Sequence, residues 1–227
     1  MKKIILSIVL FIISTSQALS HTGHSEIFKS LEYELFRNNK SIGYHNYKFE
    51  RKNSNLIVKS IIEFNIVKLG INLYSYEAVS LEEYKKDQLI NFSSKTDQNK
   101  KIKNTEITFD DKKKVLIVSG SENQLISPKE YNVGTWWNHE IVQAKAQISA
   151  ISGRIIEQKV IFLGKEKLTL YGKTFNALRF NFTSSDETLN DNKKLNTDVW
   201  YDEKTNLWLK ASFDKTGHWE YRLKNYN

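Results

Sequence analysis

The chain contains no cysteine. Disulfides, thiolate zinc sites, a cysteine nucleophile and a cysteine-linked lipid anchor are thereby excluded. Its single proline is Pro128, which removes collagen-like and proline-rich linker readings. Catalytic signatures are equally scarce. No Gly-x-Gly-x-x-Gly and no phosphate-binding loop occur, and Ser119-Gly120-Ser121 has the wrong order for a nucleophile elbow. His139-Glu140-Ile141-Val142-Gln143 departs from the zinc-protease helix, because Gln143 stands where the second histidine must be. The sequence implies no cofactor. The expectation is a protein that is more a binder than an enzyme.

What is present reads as one exported domain. The 227 residues are 40% hydrophobic and 26% charged, ordinary globular usage. Residues 1–20 have the layout of a secretory signal peptide: Lys2 and Lys3, an apolar run from Ile4 to Ile13, then small residues. Cleavage is expected after Ala18 or Ser20. The apolar run is too short to span a bilayer, and no second run like it follows, so no transmembrane segment is expected after cleavage. This predicts a bacterial periplasmic location, with 21–227 as a single β-rich domain and 21–28 as its flexible start. Dropping Lys2 and Lys3 from a net charge of +8 leaves +6. That is a mild excess without a dense basic stripe, which argues against nucleic acid.

Alternation with period two recurs along the mature chain. Leu207, Leu209, Ala211 and Phe213 share a face, as do Trp219, Tyr221 and Leu223, with Asp214-Lys215-Thr216-Gly217 as the turn between them. Leu56, Val58, Ile62, Phe64 and Ile66 form one face of a long strand, and Tyr74, Tyr76 and Ala78 one face of the next. Turn signals every 8–12 residues predict an all-β, mainly antiparallel fold. The expectation is a single strongly curved sheet or open barrel of about ten strands. Trp137 to Ile148 lacks strand alternation and predicts one short helix near 138–148. Ser184–Lys194 is polar, and a mobile loop is expected over 184–195. Two packed sheets without a cavity, or a sheet curled around the helix with a concave face, both fit this pattern.

Three groups of side chains are candidates for chemistry. His21 and His24, with Glu26, form a candidate metal tail beside the cleavage site; a frayed terminus is the plainer reading. A dispersed hydrolase site would need a carboxylate beside a histidine such as His45. Aromatic residues are the more informative group: 12 Phe, 11 Tyr and 5 Trp. Tyr74 and Tyr76 share a strand face. Of Trp136 and Trp137, an extended backbone would turn one ring to the core and the other outward. These four are the candidate ligand-binding residues, lining a groove for an apolar or amphipathic molecule such as lipid; the plainer reading is a core filled with rings.

Several stretches carry a resemblance. Ile42-Gly43-Tyr44-His45, Ser94-Lys95-Thr96-Asp97, Thr135-Trp136-Trp137-Asn138, Gly164-Lys165-Glu166 and Val199-Trp200-Tyr201-Asp202 follow one another in an order that resembles the uncharacterised secreted proteins grouped as domain of unknown function 6134. Trp136 stands where that family has a single aromatic before a Trp-Asn pair, and the 184–195 loop is longer than is usual there. The resemblance implies an exported β-rich domain and no particular activity. A more distant similarity is to periplasmic proteins with an incomplete curled sheet, including lipoprotein carriers. Three functional expectations stand in order: a binder of a hydrophobic or amphipathic ligand, an interaction module for an envelope protein, and a hydrolase with a dispersed site.

Overall fold

The computed structural model describes residues 28–120, 124–191 and 193–227. They form one sheet of fifteen strands: β1 (Ser30–Arg37), β2 (Lys40–Lys52), β3 (Asn55–Lys68), β4 (Ile71–Lys85), β5 (Gln88–Gln98), β6 (Lys101–Asp110), β7 (Val115–Ser119), β8 (Leu125–Pro128), β9 (Asn132–Val133), β10 (Ala146–Ile148), β11 (Ile155–Leu170), β12 (Lys173–Ser184), β13 (Asn196–Asp202), β14 (Trp208–Asp214) and β15 (His218–Tyr226). Apart from β8 and β9, neighbours in sequence are neighbours in the sheet, and β1 pairs with β15. All pairings are antiparallel except the two-residue ladder between β9 and β10. The edges are β8 and β9, joined by a short turn but not hydrogen-bonded to each other. The result is a curled sheet that does not close, its curvature following from strand twist accumulated over many strands.

The alternation read from the sequence holds along β3 and is interrupted elsewhere by shifts of register, as between Trp200 and Tyr201 where β13 pairs with β14. In β3, Leu56, Val58, Ser60, Ile62 and Phe64 are buried while the residues between them face outward. Register then stacks inward residues into rows across β2 to β6. Nearest one end runs Phe49, Val58, Glu82, Phe92 and Ile107. The next row is Tyr47, Ser60, Ser80, Ser94 and Thr105, and the one after it His45, Ile62, Ala78 and Thr96. Phe64 and Tyr76 follow, nearest the other end. The first row is bulky and the two middle rows are largely small, so the interior is not evenly filled.

Two expectations are corrected. The strand number is fifteen, not about ten. Three of the unexpected strands, β8, β9 and β10, have four, two and three residues, too few for alternation to register. The helix near 138–148 is a single 3-10 turn, His139–Val142, with the Asn138 side chain accepting from the Glu140 amide at 3.1 Å. Ala146–Ile148 is taken instead by pairing with β11 and β9. The segment 131–153 nevertheless lies inside the curl. Tyr47 donates its hydroxyl to the Thr135 carbonyl (2.9 Å), Tyr201 to the Trp136 carbonyl (3.0 Å), and Gln158 its amide to the Ile141 carbonyl (2.9 Å). The Ser94 hydroxyl bonds the Ala150 carbonyl from the opposite wall. Gly120 packs so closely on this segment that a Cβ there would stand 2.1 Å from the Ser152 carbonyl oxygen. The connection from β12 to β13 is tied at its base by mutual bonds between Ser184 and Leu195.

Candidate functional site

A hollow of about 230 Å³ lies between the inward segment and the middle rows of β2 to β5. It exists because Ser60, Ala78, Ser80, Ser94 and Thr96 are small where Val58 and Phe92, two residues along their strands, are large. Its walls also include His45, Trp136 and Tyr221. Through Tyr76, Tyr221 and Ile151 it adjoins a wider, more open apolar space of about 670 Å³, lined by Phe64, Tyr74, Phe213 and Trp219. Together they make a funnel that opens toward the end of the curl where the β3–β4 and β14–β15 turns lie. Its mouth is built of stacked rings: Phe64 and Tyr76 lie 4.8 Å apart at 10°, and Phe213 and Trp219 5.9 Å apart at 8°. Such offset pairs hold flat apolar walls in place.

Most of the inner hollow's exposed wall is apolar, with Ser60, Ser80, Ser94, Thr96, Gln147 and Ser149 adding polar groups. His45 packs among Tyr33, Tyr47, Trp208 and Tyr221. Burial pushes its pKa down to about 3, so the ring is neutral at ordinary pH. The Nδ1 of His45 and the Nε1 of Trp136 are buried and have no hydrogen-bond partner. Ser60 and Ser80 satisfy each other at 2.9 Å. The site is thus a largely apolar funnel with two unpartnered nitrogens at its narrow end.

The carboxylate buried nearby serves another purpose. Glu82 is fully buried toward the closed end, where it accepts from Tyr84 Oη at 2.6 Å and from Trp137 Nε1 at 2.9 Å. Burial raises its pKa to about 7, against the lowering effect of those bonds. It fixes Trp137, which packs edge-on against Phe49 and Tyr84.

The four residues read from sequence therefore separate. Tyr74, Tyr76 and Trp136 line the connected hollows, and Trp137 belongs to the filled core. The expectation that one tryptophan ring faces outward is corrected. Trp136 has φ of 53°, a left-handed backbone uncommon for a bulky residue, and that break in alternation turns both rings inward. His45 has aromatic rings, not a carboxylate, around it. His21 and His24 lie outside the described residues, as does the 1–20 segment. Among the described residues no three acidic or histidine side chains converge on a metal position, and no helix is long and apolar enough to cross a membrane. Sequence reasoning missed Phe64, Phe213, Trp219 and Tyr221 as funnel walls, and the small inward residues that open it. Their signal was present as matched small positions on three successive strands, visible only once register is known.

The family model described as domain of unknown function (DUF6134) matches residues 33–224. The chain belongs to this family. Its match begins at Tyr33 in β1 and ends at Lys224 in β15, so it takes in every strand that lines the funnel. No curated protein matches the sequence. Among solved structures, a β-barrel-like protein of domain of unknown function DUF1849 from Brucella abortus is similar, with TM-score 0.60 and 11% identity over 87% of this chain and 96% of that one. At that identity the likeness shows the fold alone.

Proposed function

We propose that this member of the family is a non-enzymatic periplasmic protein that holds one hydrophobic or amphipathic molecule, such as a lipid, in the funnel. One observation carries the reading: an apolar hollow joined to an open apolar mouth, with unpartnered His45 Nδ1 and Trp136 Nε1 at its narrow end. An indole N–H is a donor only, so it favours an accepting oxygen. The ligand would place an oxygen-bearing end beside Trp136 and His45 and its apolar body between Phe64, Tyr76 and Trp219. The combined size is that of ordinary small-molecule sites. A periplasmic location is supported by the signal-peptide layout of residues 1–20.

The test is native mass spectrometry of the protein purified from its own cell envelope, paired with tryptophan fluorescence during titration with a long-chain fatty acid. A co-purifying mass and a spectral shift, the shift weakened in Trp136→Phe, are expected. A clean apo mass with an unchanged spectrum would remove the reading.

One feature favours a second reading, an interaction module for an envelope protein. On its β10 side, β11 is paired only through Ile155–Glu157, and Ile161, Phe162 and Leu163 beyond that point are about half exposed. An unpaired edge of this kind can accept a strand from a partner. Crosslinking from a photoreactive residue at position 161 would then recover a single protein.

A further inference from the structure

Five exposed aliphatic side chains cluster where the funnel opens. The β3–β4 hairpin carries Val67, Leu69, Ile71 and Leu73, which are 58%, 93%, 63% and 55% exposed. Its neighbour, the β5–β6 hairpin, adds Ile102 at 51%. The β5–β6 turn is tied to β4 behind the apex: the Ser75 amide donates to the Asn99 side chain at 2.7 Å, and the Asn99 amide to the Ser75 carbonyl at 3.0 Å. Leu69 is the extreme case. It sits at the apex with φ of 52°, a conformation that turns usually assign to Gly, Asn or Asp. The corresponding left-handed positions of the β1–β2 turn are Asn38 and Asn39, and those of the β5–β6 turn Asn99 and Lys100. Leu69 thus carries a strained backbone and buries nothing in its own chain. Folding gains nothing from leucine here.

The charged side chains nearest the apex and on the β5–β6 turn are lysines, with an acidic row of Glu63, Glu77 and Asp97 behind them. Lys68 lies within the tip, and Lys100 and Lys101 lie on the adjoining turn, all exposed. The nearest acid on that turn, Asp97, is occupied in capping the Lys100 amide at 2.6 Å. On the β3–β4 hairpin itself, Glu63 and Glu77 face each other further back from the apex. An aliphatic wedge with lysines beside and behind it suits an anionic lipid surface: the wedge enters the acyl boundary while the lysines meet head groups. The same hairpin also walls the funnel, through Ile66, Leu73 and Tyr74. Insertion of the tip would therefore bring the funnel mouth to the lipid.

We infer that the β3–β4 hairpin tip, with the β5–β6 turn, docks this protein on anionic membrane surfaces and sets the funnel mouth against the bilayer. The inference stands whatever occupies the funnel. Its test is sedimentation of the full chain with vesicles of phosphatidylglycerol and phosphatidylethanolamine, against phosphatidylcholine alone. Binding to the anionic vesicles that falls with added salt is expected. Leu69→Ser should weaken partitioning about tenfold or more, from the burial value of one leucine side chain. Lys100→Gln should weaken it about fivefold on anionic vesicles only. Because the chain has no cysteine, Leu69→Cys gives one labelling position. An environment-sensitive dye there should shift to the blue on vesicles, while a dye at Asn53→Cys, on a turn at the opposite end, should not. Unchanged circular dichroism keeps the comparison between folded proteins. Equal binding by wild type and Leu69→Ser, no binding by wild type, or equal dye response at both ends would overturn the proposal. So would capture of a single protein, and not lipid, by a crosslinker placed at position 69.

Discussion

The interior has two regions built by the same strands in opposite ways. Toward the closed end, Phe49, Val58, Phe92 and Ile107 fill the space, and the one buried acid there, Glu82, is satisfied by Tyr84 and Trp137. Toward the mouth, two residues along β3, β4 and β5, stand Ser60, Ser80 and Ser94, and the buried nitrogens of His45 and Trp136 have no partner. The hollow of about 230 Å³ lies where these small side chains meet. The contrast teaches that the void is a property of particular residues, since the same sheet packs densely a few ångströms away.

The largest expected effect sets the two regions against each other by pH. Glu82 has a pKa raised from 4.5 to about 7, so between those values the folded chain keeps a proton that the unfolded chain has released. Its contribution to stability therefore declines as pH rises through that window. His45 has a pKa lowered from 6.5 to about 3, so below 6.5 the unfolded chain takes up a proton that the folded chain refuses. Its contribution is lost as pH falls. At about 1.4 kcal/mol per pH unit, each slope reaches several kcal/mol, and the two oppose each other from 4.5 to 6.5. Denaturant titrations of Glu82→Gln across that range should show stability rising with pH, and those of His45→Phe should show it falling. Parallel curves for both variants and the parent would break the contrast.

A smaller effect sharpens it with neighbouring residues. Trp137→Phe removes the donor to a buried carboxyl group, and a loss of about 2 kcal/mol or more is expected. Trp136→Phe removes an indole N–H that bonds nothing, and a change below about 1 kcal/mol is expected. Urea unfolding with unchanged m-values is the measurement. Equal losses would mean that both rings are held alike.

Much of this architecture was legible because half-buried antiparallel strands announce themselves by alternation. Leu56 to Phe64, Tyr74 to Ala78 and Trp219 to Leu223 lie on the inner faces where alternation puts them. What failed did so for local reasons. Trp136 breaks alternation through a backbone angle that no pattern encodes. Ala146–Ile148 resembles one face of a helix until β11 offers it a ladder. Trp200, on the outer face of β13, is nonetheless buried, covered by Arg179 and Lys210 at 4.9 Å from its ring. Tyr74, Tyr76 and Trp136 were found because rings are conspicuous. Ser60, Ala78, Ser80 and Thr96 were missed because a small residue means nothing until register sets it beside other small ones.

The finest comparison uses two alanines. Ala211 on β14 is fully buried, paired in register with Val199 and Tyr221. Ala78 on β4 faces the hollow beside Ile62 and Thr96. A leucine at 211 has no room, so Ala211→Leu should cost about 1–3 kcal/mol in urea unfolding. A leucine at 78 extends into space already present, so Ala78→Leu should leave stability within about 1 kcal/mol of the parent. The same substitution should abolish the fluorescence response to fatty acid, since it occupies the narrow end beside Trp136. A stable Ala78→Leu that still responds would place the ligand elsewhere. An Ala78→Leu as damaged as Ala211→Leu would mean that the hollow is closed in solution, and the two regions are then one continuous core.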